Sequence, residues 1–353
     1  MLAAANGQSR KRVRFEPLPV ALQPERSAGP LIEALGKGAR VLVVTNTVDR
    51  ANGLLRAIEA HPDFDPTWSF RVDGIACPHH GRFAPADRVR LDAEVSRRFG
   101  RDGAPGPSLL VGTQTLEQSL DIDADLLITD LAPADVLLQR IGRLHRHPRR
   151  RPGGFERPRC LVLTPDEALI EMLDARGGIA GAYRAMGYGS VYPDLRVLAL
   201  TFAAITAHPQ ITIPDDNRRL VEQTTHPERL AALDAPLWQR HGQEVQGGEL
   251  MQAIQAASAV SAFDRLFGDV VFNEAGGKVA TRLGIDTLRL PLDRPVVSPF
   301  GEPLGELLIP GHLAPRTPEE TVTVEAETDE GIHLRCGDRH YRYTRFGLEK
   351  EDR

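Results

Sequence analysis

The sequence contains few cysteines and no long apolar run. Its three cysteines, Cys77, Cys160 and Cys336, lie far apart, which excludes a disulfide framework and a paired CxxC zinc site. No segment approaches the roughly 18 apolar residues that a membrane-spanning helix needs, and the first residues lack the order of a signal peptide. We therefore expect a cytoplasmic protein that is not embedded in a membrane.

A strong net charge of either sign is also missing. The formal net charge is −5 over 353 residues, which argues against a globally basic nucleic-acid binder, and the length allows about two domains. Arginine is nevertheless concentrated in one segment, at positions 140, 143, 146, 149, 150, 151, 157 and 159, with Glu156 as its one acidic residue. Such a cluster indicates either a contact with a polyanion or a solvated loop, and the sequence leaves both open.

Short apolar runs alternate with amphipathic segments through the first half of the chain. The buried-strand pattern occurs at 40–44, 108–112, 126–129 and 161–163, and helices are predicted over 48–60 and 85–99. Asn46 and Thr47 offer a cap for the first of these helices. The alternation predicts an α/β fold, a parallel sheet covered by helices on both sides, with function on the loops after the carboxyl ends of the strands.

The pattern changes after Pro165. We predict a tail or linker over 1–30, the α/β domain over 31–165, a helical connector over 166–270 and a small, mainly β, C-terminal module over 271–353.

The segment 111–147 carries the clearest chemical signal. Gln139, Gly142, Arg143 and Arg146 follow the spacing QxxGRxxR, which on a continuous α-helix places the glutamine and both arginines on one side. Gly142 leaves room for a ligand to approach closely. Two guanidinium groups on such a face suit a triphosphate, because they stabilise negative charge on a transferring phosphoryl group.

The same segment, VGTQTLEQSLDIDADLLITDLAPADVLLQRIGRLHRH, resembles motifs V and VI of superfamily 2 helicases, and in particular the CRISPR-associated helicase-nuclease family of type I systems. VLVVTNTVDRA (41–51) is similar to the motif IV strand and helix of that family, and HHGRF (79–83) to its HxRF segment. IPDDNRRLVE (213–222) and TRLG (281–284) resemble its connector and C-terminal domain. The resemblance implies that the α/β domain is the second RecA-like helicase lobe.

The resemblance also implies roles for individual residues. Arg143 and Arg146 would be arginine fingers on ATP, Gln139, Gly142 and Asp121 would lie at the nucleotide, and Thr113 would touch the nucleic-acid backbone. Asn46, Thr47, His80 and Arg82 would be further contacts to single-stranded DNA.

Other charged residues in this region favour structural roles. Asp125 and Asp130, at strand ends, are typical of caps. We expect His145 and His147 at the surface, and no metal site is predicted.

The elements that bind and hydrolyse ATP are missing from the sequence. Neither the phosphate loop GxxxxGK[ST] nor a DExH acid pair occurs, and no His-Asp dipeptide marks the nuclease of the family. We therefore expect ATP and Mg²⁺ to be held mainly by a first RecA-like lobe, which, with the nuclease, would be on another chain or an upstream frame. The type I surveillance complex and single-stranded DNA are the expected partners.

Two other functions remain open. The chain would otherwise be a non-catalytic DNA- or partner-binding remnant, or a lobe of a different superfamily 2 helicase that acts in DNA repair.

Overall fold

The computed structural model describes residues 10–21, 23–117, 120–259 and 287–351. The chain divides into two compact units. The first unit consists of 1–81 and 87–241, as far as these are described, and the second of 82–86 and 242–353.

A six-stranded sheet forms the centre of the first unit. The strands of this unit are β1 (Lys11–Pro19), β2 (Arg40–Val44), β3 (Arg71–Val72), β4 (Ile75–Ala76), β5 (Ser108–Gly112), β6 (Leu126–Asp130), β7 (Arg159–Thr164) and β8 (Gln210–Ile213). The order in the central sheet is β5-β2-β6-β7-β1-β8. The first five strands in this order run parallel, and β8 joins β1 antiparallel at the edge. Every residue of β2, β5 and β6 is buried, as the continuous apolar runs predict.

The described residues form nine α-helices. They are α1 (Pro24–Gly36), α2 (Val48–Glu59), α3 (Pro85–Phe99), α4 (Ala134–Ile141), α5 (Gly181–Arg184), α6 (Leu195–Ala207), α7 (Asn217–Thr225), α8 (Pro227–Ala231) and α9 (Pro236–Ala259). Thr47 caps α2 by accepting the backbone N–H of Arg50 at 3.3 Å, which confirms the predicted cap. The α/β fold with a parallel sheet is therefore confirmed.

The prediction of a tail or linker over 1–30 is wrong for most of its described part. Strand β1 lies inside the central sheet between β7 and β8, and α1 begins at Pro24. Arginines alternate with apolar residues in β1, and Val13 and Phe15 are buried. The prolines and charges of this segment suggested a linker, but pairing with β7 makes it a strand.

The second unit is mainly β, as the sequence predicts. Its strands are β9 (Thr287–Val297), β10 (Pro303–Pro310), β11 (Thr323–Thr328), β12 (Gly331–Cys336), β13 (Arg339–Thr344) and β14 (Gly347–Glu351). β9 and β10 form one antiparallel pair, and β11 to β14 form a four-stranded antiparallel meander. The TRLG segment at 281–284 lies outside the described residues.

Among the described residues, no helix has the length and apolar character needed to cross a membrane.

Candidate nucleotide and nucleic-acid site

Two neighbouring strands bring motifs IV and V together at the carboxyl edge of the sheet. Thr45 and Asn46 follow β2, and Thr113 follows β5. The backbone N–H of Thr45 donates to the carbonyl of Gly112 at 2.9 Å, and the amide of Gln114 donates to the carbonyl of Asn46 at 2.8 Å. The predicted loops are therefore joined by hydrogen bonds at this edge.

Asn46 is buried at this edge and bonded to several neighbouring segments. Its side chain donates to the carbonyl of Leu131 at 3.0 Å and accepts from Arg140 at 3.2 Å, while its backbone N–H donates to Asp130 at 2.9 Å. The residue is 1% exposed. Because its polar groups are engaged inside the protein, the side chain does not face a ligand in this structure.

The other residues expected to contact DNA are also buried or half-buried. His80 is fully buried and lies 3.1 Å from the Asn52 carboxamide. Arg82 is 7% exposed, belongs to the second unit and lies 3.1 Å from His312. Thr113 is 3% exposed, and half-buried Thr47 donates to the carbonyl of Ala185 at 2.9 Å.

The expectation of one helical face for Gln139, Arg143 and Arg146 is wrong. Helix α4 ends at Ile141, and Gly142 is its C-cap, with a backbone N–H that donates to the carbonyls of Leu138 and Gln139. Gln139 lies exposed in the last turn, and both arginines follow the helix. The spacing fits a helix, but the chain turns at Gly142 to pair Leu144 with Ala124.

Arg143 joins the motif VI turn, residues 142–146, to the motif V loop, residues 113–117. Its Nε donates to the carbonyl of Leu116 at 3.2 Å and its Nη2 to the carbonyl of Glu117 at 2.7 Å. The residue is 9% exposed. These two contacts use two of the five guanidinium N–H groups. Gln118 and Ser119, which follow Glu117, lie outside the described residues.

Arg146 and Asp121 form an accessible ion pair. The Nε of Arg146 lies 2.8 Å from a carboxylate oxygen of Asp121, and the Nε2 of His147 lies at the same distance from it. The Arg146 and Asp121 side chains are 40% and 43% exposed. The structure thus brings together two of the residues assigned to the nucleotide.

The arginines that follow Arg146 are largely neutralised within the protein. Arg149 and Arg151 each pair with both Asp123 and Asp125, at distances of 2.6 to 3.0 Å. Burial alone would raise the pKa of Asp123, but hydrogen bonds from Arg151 and Arg149 hold it below its usual value. These two arginines therefore hold buried carboxylates and do not lie in a solvated loop.

Asp125 also accepts the backbone N–H of Arg40 at 2.8 Å, and Asp130 accepts that of Asn46. Both residues therefore have structural roles, but neither is the local cap that was predicted, because their backbone partners are 85 and 84 residues away. Arg40 begins β2, so the Asp123–Asp125 cluster lies at the amino edge of the sheet, away from the carboxyl edge where function was expected.

His145 and His147 are both half-buried, in contrast to the predicted surface positions. The φ of 47° at His145 is in the left-handed region, which is sparsely populated by residues other than glycine. Burial, followed by the charge of Arg151, lowers the pKa of His145 to about 4, so its ring is neutral at pH 7.

Arg140 is a functional candidate that the motif spacing did not single out. Its fully buried guanidinium pairs with the Glu117 carboxylate at 2.8 Å and donates to the hydroxyls of Thr129 at 2.6 Å and Tyr192 at 3.1 Å. With the bond to Asn46, Arg140 links motifs IV, V and VI to the connector. Its position three residues after Leu137, on the buried side of α4, was the available sequence signal.

Among the described residues, no group of three or more His, Cys, Asp and Glu side chains is placed to hold a metal ion.

Comparisons with known proteins find similarity to the same family. Residues 37–149 match the family model described as "CRISPR-associated nuclease/helicase Cas3, C-terminal". The CRISPR-associated endonuclease/helicase Cas3 of Thermus thermophilus is 34% identical over 245 residues, which are 60% of this chain and 24% of the relative. The Cas3 of Escherichia coli is 41% identical over 138 residues, which are 38% of this chain and 15% of the relative. The chain therefore spans a quarter or less of these two relatives.

Solved structures share the fold. The structure described as "Crystal structure of CRISPR-associated protein" matches with a TM-score of 0.75 and 24% identity. The match covers 100% of this chain and 42% of the matched chain. The structure described as T. fusca Cas3-AMPPNP matches with a TM-score of 0.62 and 25% identity, over 85% of this chain and 33% of the matched chain. A structure described as a pre-nicking CRISPR RNA-guided surveillance complex matches with a TM-score of 0.51 and 27% identity. The match covers 73% of this chain and 29% of the matched chain. The family model, the relatives and these structures together show that this chain is similar to the C-terminal part of the CRISPR-associated nuclease/helicase Cas3.

Proposed function

We propose that this chain supplies the second RecA-like lobe of an ATP-driven translocase that acts on single-stranded DNA in CRISPR interference. The observation that carries the proposal is the motif VI turn. It leaves Arg146 accessible beside Asp121, while Arg143 is bonded to the motif V loop. This arrangement suits a lobe that stabilises the phosphates of a nucleotide held by another lobe.

Arg146 and Arg143 would act differently on ATP. Arg146, whose ion-pair partner Asp121 is 43% exposed, would leave Asp121 and approach the transferring phosphoryl group. Arg143 would use its remaining N–H groups while staying bonded to Leu116 and Glu117. Gln139 and Gly142, both exposed, would lie near the nucleotide. We assign Mg²⁺ to none of the described residues, since no cluster of acids there fits it.

The DNA contacts would lie at the carboxyl edge of the sheet. Half-buried Thr47 remains a candidate for the DNA backbone, whereas Asn46, His80 and Thr113 would support the loops from inside, since each is at least 97% buried. Arg82, which is 7% exposed, would act within the second unit. Binding through backbone phosphates predicts an affinity that falls steeply as salt concentration rises.

The other components of the translocase are proposed from the resemblance to the family. A chain segment with the phosphate loop and the DExH acids would bind ATP, and a His-Asp nuclease would cut the DNA. The surveillance complex would recruit them, in line with the description of one structural neighbour.

Hydrolysis of ATP tests the proposal. We expect no hydrolysis by this chain alone, and DNA-stimulated hydrolysis when a chain carrying the phosphate loop and DExH acids is added. Arg146→Ala should then lower kcat by about 10³-fold or more, on the scale of other arginine fingers.

Arg150→Ala is the matched control, because Arg150 is exposed and four residues away. Unchanged hydrolysis in Arg146→Ala would remove the assigned role. A combined preparation that binds DNA but never hydrolyses ATP would favour the non-catalytic alternative.

A further inference from the structure

A lysine from the first strand reaches the motif VI turn. The Nζ of Lys11, at the start of β1, donates to the carbonyl of Ile141 at 2.8 Å and to the carbonyl of Leu144 at 2.6 Å. These partners are about 130 residues away in sequence. The contact therefore exists because the sheet places β1 beside the end of α4.

The two carbonyl groups lie on either side of Gly142 and Arg143 in the sequence. Ile141 is the last residue of α4, and Leu144 follows Gly142 and Arg143. The last carbonyls of a helix lack intrahelical partners, and a cation near them is favoured by the helix dipole. Lys11 thus binds the chain on either side of Arg143.

The rest of the turn is bonded to the segment before β6. The backbone N–H of Ala124 donates to the carbonyl of Arg143 at 2.9 Å, and that of His145 donates to the carbonyl of Ala124 at 3.0 Å. The backbone N–H of Arg146 donates to Asp123 at 2.8 Å. Lys11 adds an attachment from a different strand.

The ammonium group is held where its charge is disfavoured. Burial lowers the pKa of Lys11 to about 8; Asp123 opposes this shift, and Arg146 and Arg151 add to it. A buried ammonium group persists when its N–H groups are bonded, as they are here to two carbonyls.

We propose that Lys11 is a positioning residue for Arg143 and Arg146, fixing the turn from which both arginines meet the nucleotide. This inference rests on the proposed function. It implies that a strand outside the recognised helicase motifs sets the geometry of the arginine fingers.

Amide hydrogen exchange on the full chain tests the contact without any activity. In Lys11→Met, we expect the amides of residues 142–146 to exchange about tenfold faster or more, as loss of a charged hydrogen bond implies, while those of β5 stay unchanged. Arg12→Met, which removes an exposed cation from the same strand, should leave both sets unchanged. Lys11→Arg should restore slow exchange.

Hydrolysis by the complemented chain tests the positioning role. Lys11→Met should lower kcat about tenfold with less than about a twofold change in the KM for ATP, and Lys11→Arg should recover most of it. Faster exchange with unchanged kcat would overturn the inference, as would a lower kcat without faster exchange. If Arg146→Ala abolishes hydrolysis while Lys11→Met changes neither measurement, the inference alone fails. If Arg146→Ala has no effect, the proposed function itself fails, and the positioning role with it.

Discussion

Burial separates the arginines of motif VI into different kinds of residue. Arg140 is fully buried and bonded to four side chains, Arg143 is nearly buried and bonded to two carbonyls, and Arg146 is 40% exposed beside Asp121. Removal of a buried guanidinium leaves its partners without a hydrogen-bond donor or counter-charge and is strongly destabilising. An exposed ion pair, in contrast, contributes little to stability and can exchange partners. Arg146 is therefore the arginine best suited to move toward a ligand.

Replacing Arg140 should destabilise the first unit strongly. Arg140→Met leaves the Glu117 carboxylate, whose side chain is 6% exposed, without its cation. Breaking a buried pair in this way typically costs about 3–5 kcal/mol of unfolding free energy, measurable by urea denaturation. Adding Glu117→Gln should recover part of the loss. Exposed Arg157→Met should change stability little, and equal losses in both variants would contradict this account.

Lys11 should also make stability depend on pH. Its pKa falls from 10.5 in the unfolded chain to about 8 in the folded one, so between these values the unfolded state binds more protons. The free energy of unfolding should therefore gain a positive slope as pH rises from about 8 to 10.5. This contribution should be absent from Lys11→Met. Identical slopes in the two proteins, from denaturation curves across this range, would show that the lysine is not buried as described.

At the scale of elements, the motif V loop depends on a close approach at the end of β5. The backbone N–H of Thr113 donates to the carbonyl of His79 at 3.2 Å, and the side chain of Thr115 lies 2.9 Å from the His79 ring. A Cβ atom on Gly112 would overlap the His79 carbonyl and the Leu116 side chain. Only glycine allows the loop to lie this close.

Gly112→Ala should therefore lower the stability of the first unit and displace the loop that carries Glu117. We expect a lower midpoint of thermal unfolding and faster amide exchange at residues 113–117. Gly53→Ala is the matched control, because a Cβ there meets no described atom within 4 Å and alanine favours the interior of α2 by about 1 kcal/mol. A Gly112→Ala protein as stable as the control would contradict the close approach.

Most elements of the first unit could be predicted from local patterns. β2, β5 and α3 have the predicted bounds, because continuous apolar runs and periodic apolar positions reflect burial directly. β1 and the end of α4 could not be predicted. The first depends on pairing with β7, and the second on the bridge between Leu144 and Ala124, so both require partners distant in sequence.

At the scale of the whole molecule, five residues inside the predicted α/β domain of 31–165, residues 82–86, belong to the second unit. Ala84 donates its backbone N–H to the Tyr343 hydroxyl at 2.8 Å, and Leu348 donates to the carbonyl of Arg82 at 3.0 Å. Phe83 packs edge-on against Phe300 with ring centroids 5.8 Å apart. The segment 82–86 is thus part of the C-terminal core.

Phe83→Ala should therefore affect the second unit. Phe83 is 2% exposed, and removing a buried phenylalanine ring typically costs about 3–5 kcal/mol. Amide exchange in β12 to β14 should accelerate, while that in β2 and β5 should stay as in the unchanged protein. Val89→Ala, at a 69% exposed position of α3, should affect neither. Acceleration confined to β2 and β5 would contradict the assignment of this segment.

The sequence by itself determined the α/β class, most buried strands and the resemblance to a helicase family, because these depend on local apolar patterns and a compact run of motif residues between 111 and 147. Only the tertiary structure decided which motif side chains face outward. Asn46 and His80 carry the expected motif identity but are enclosed, whereas Arg146 is accessible. It also decided that Lys11 meets the motif VI turn. The reason is physical: exposure and hydrogen bonding depend on which distant segments fold against a residue, and spacing within one segment does not contain that information.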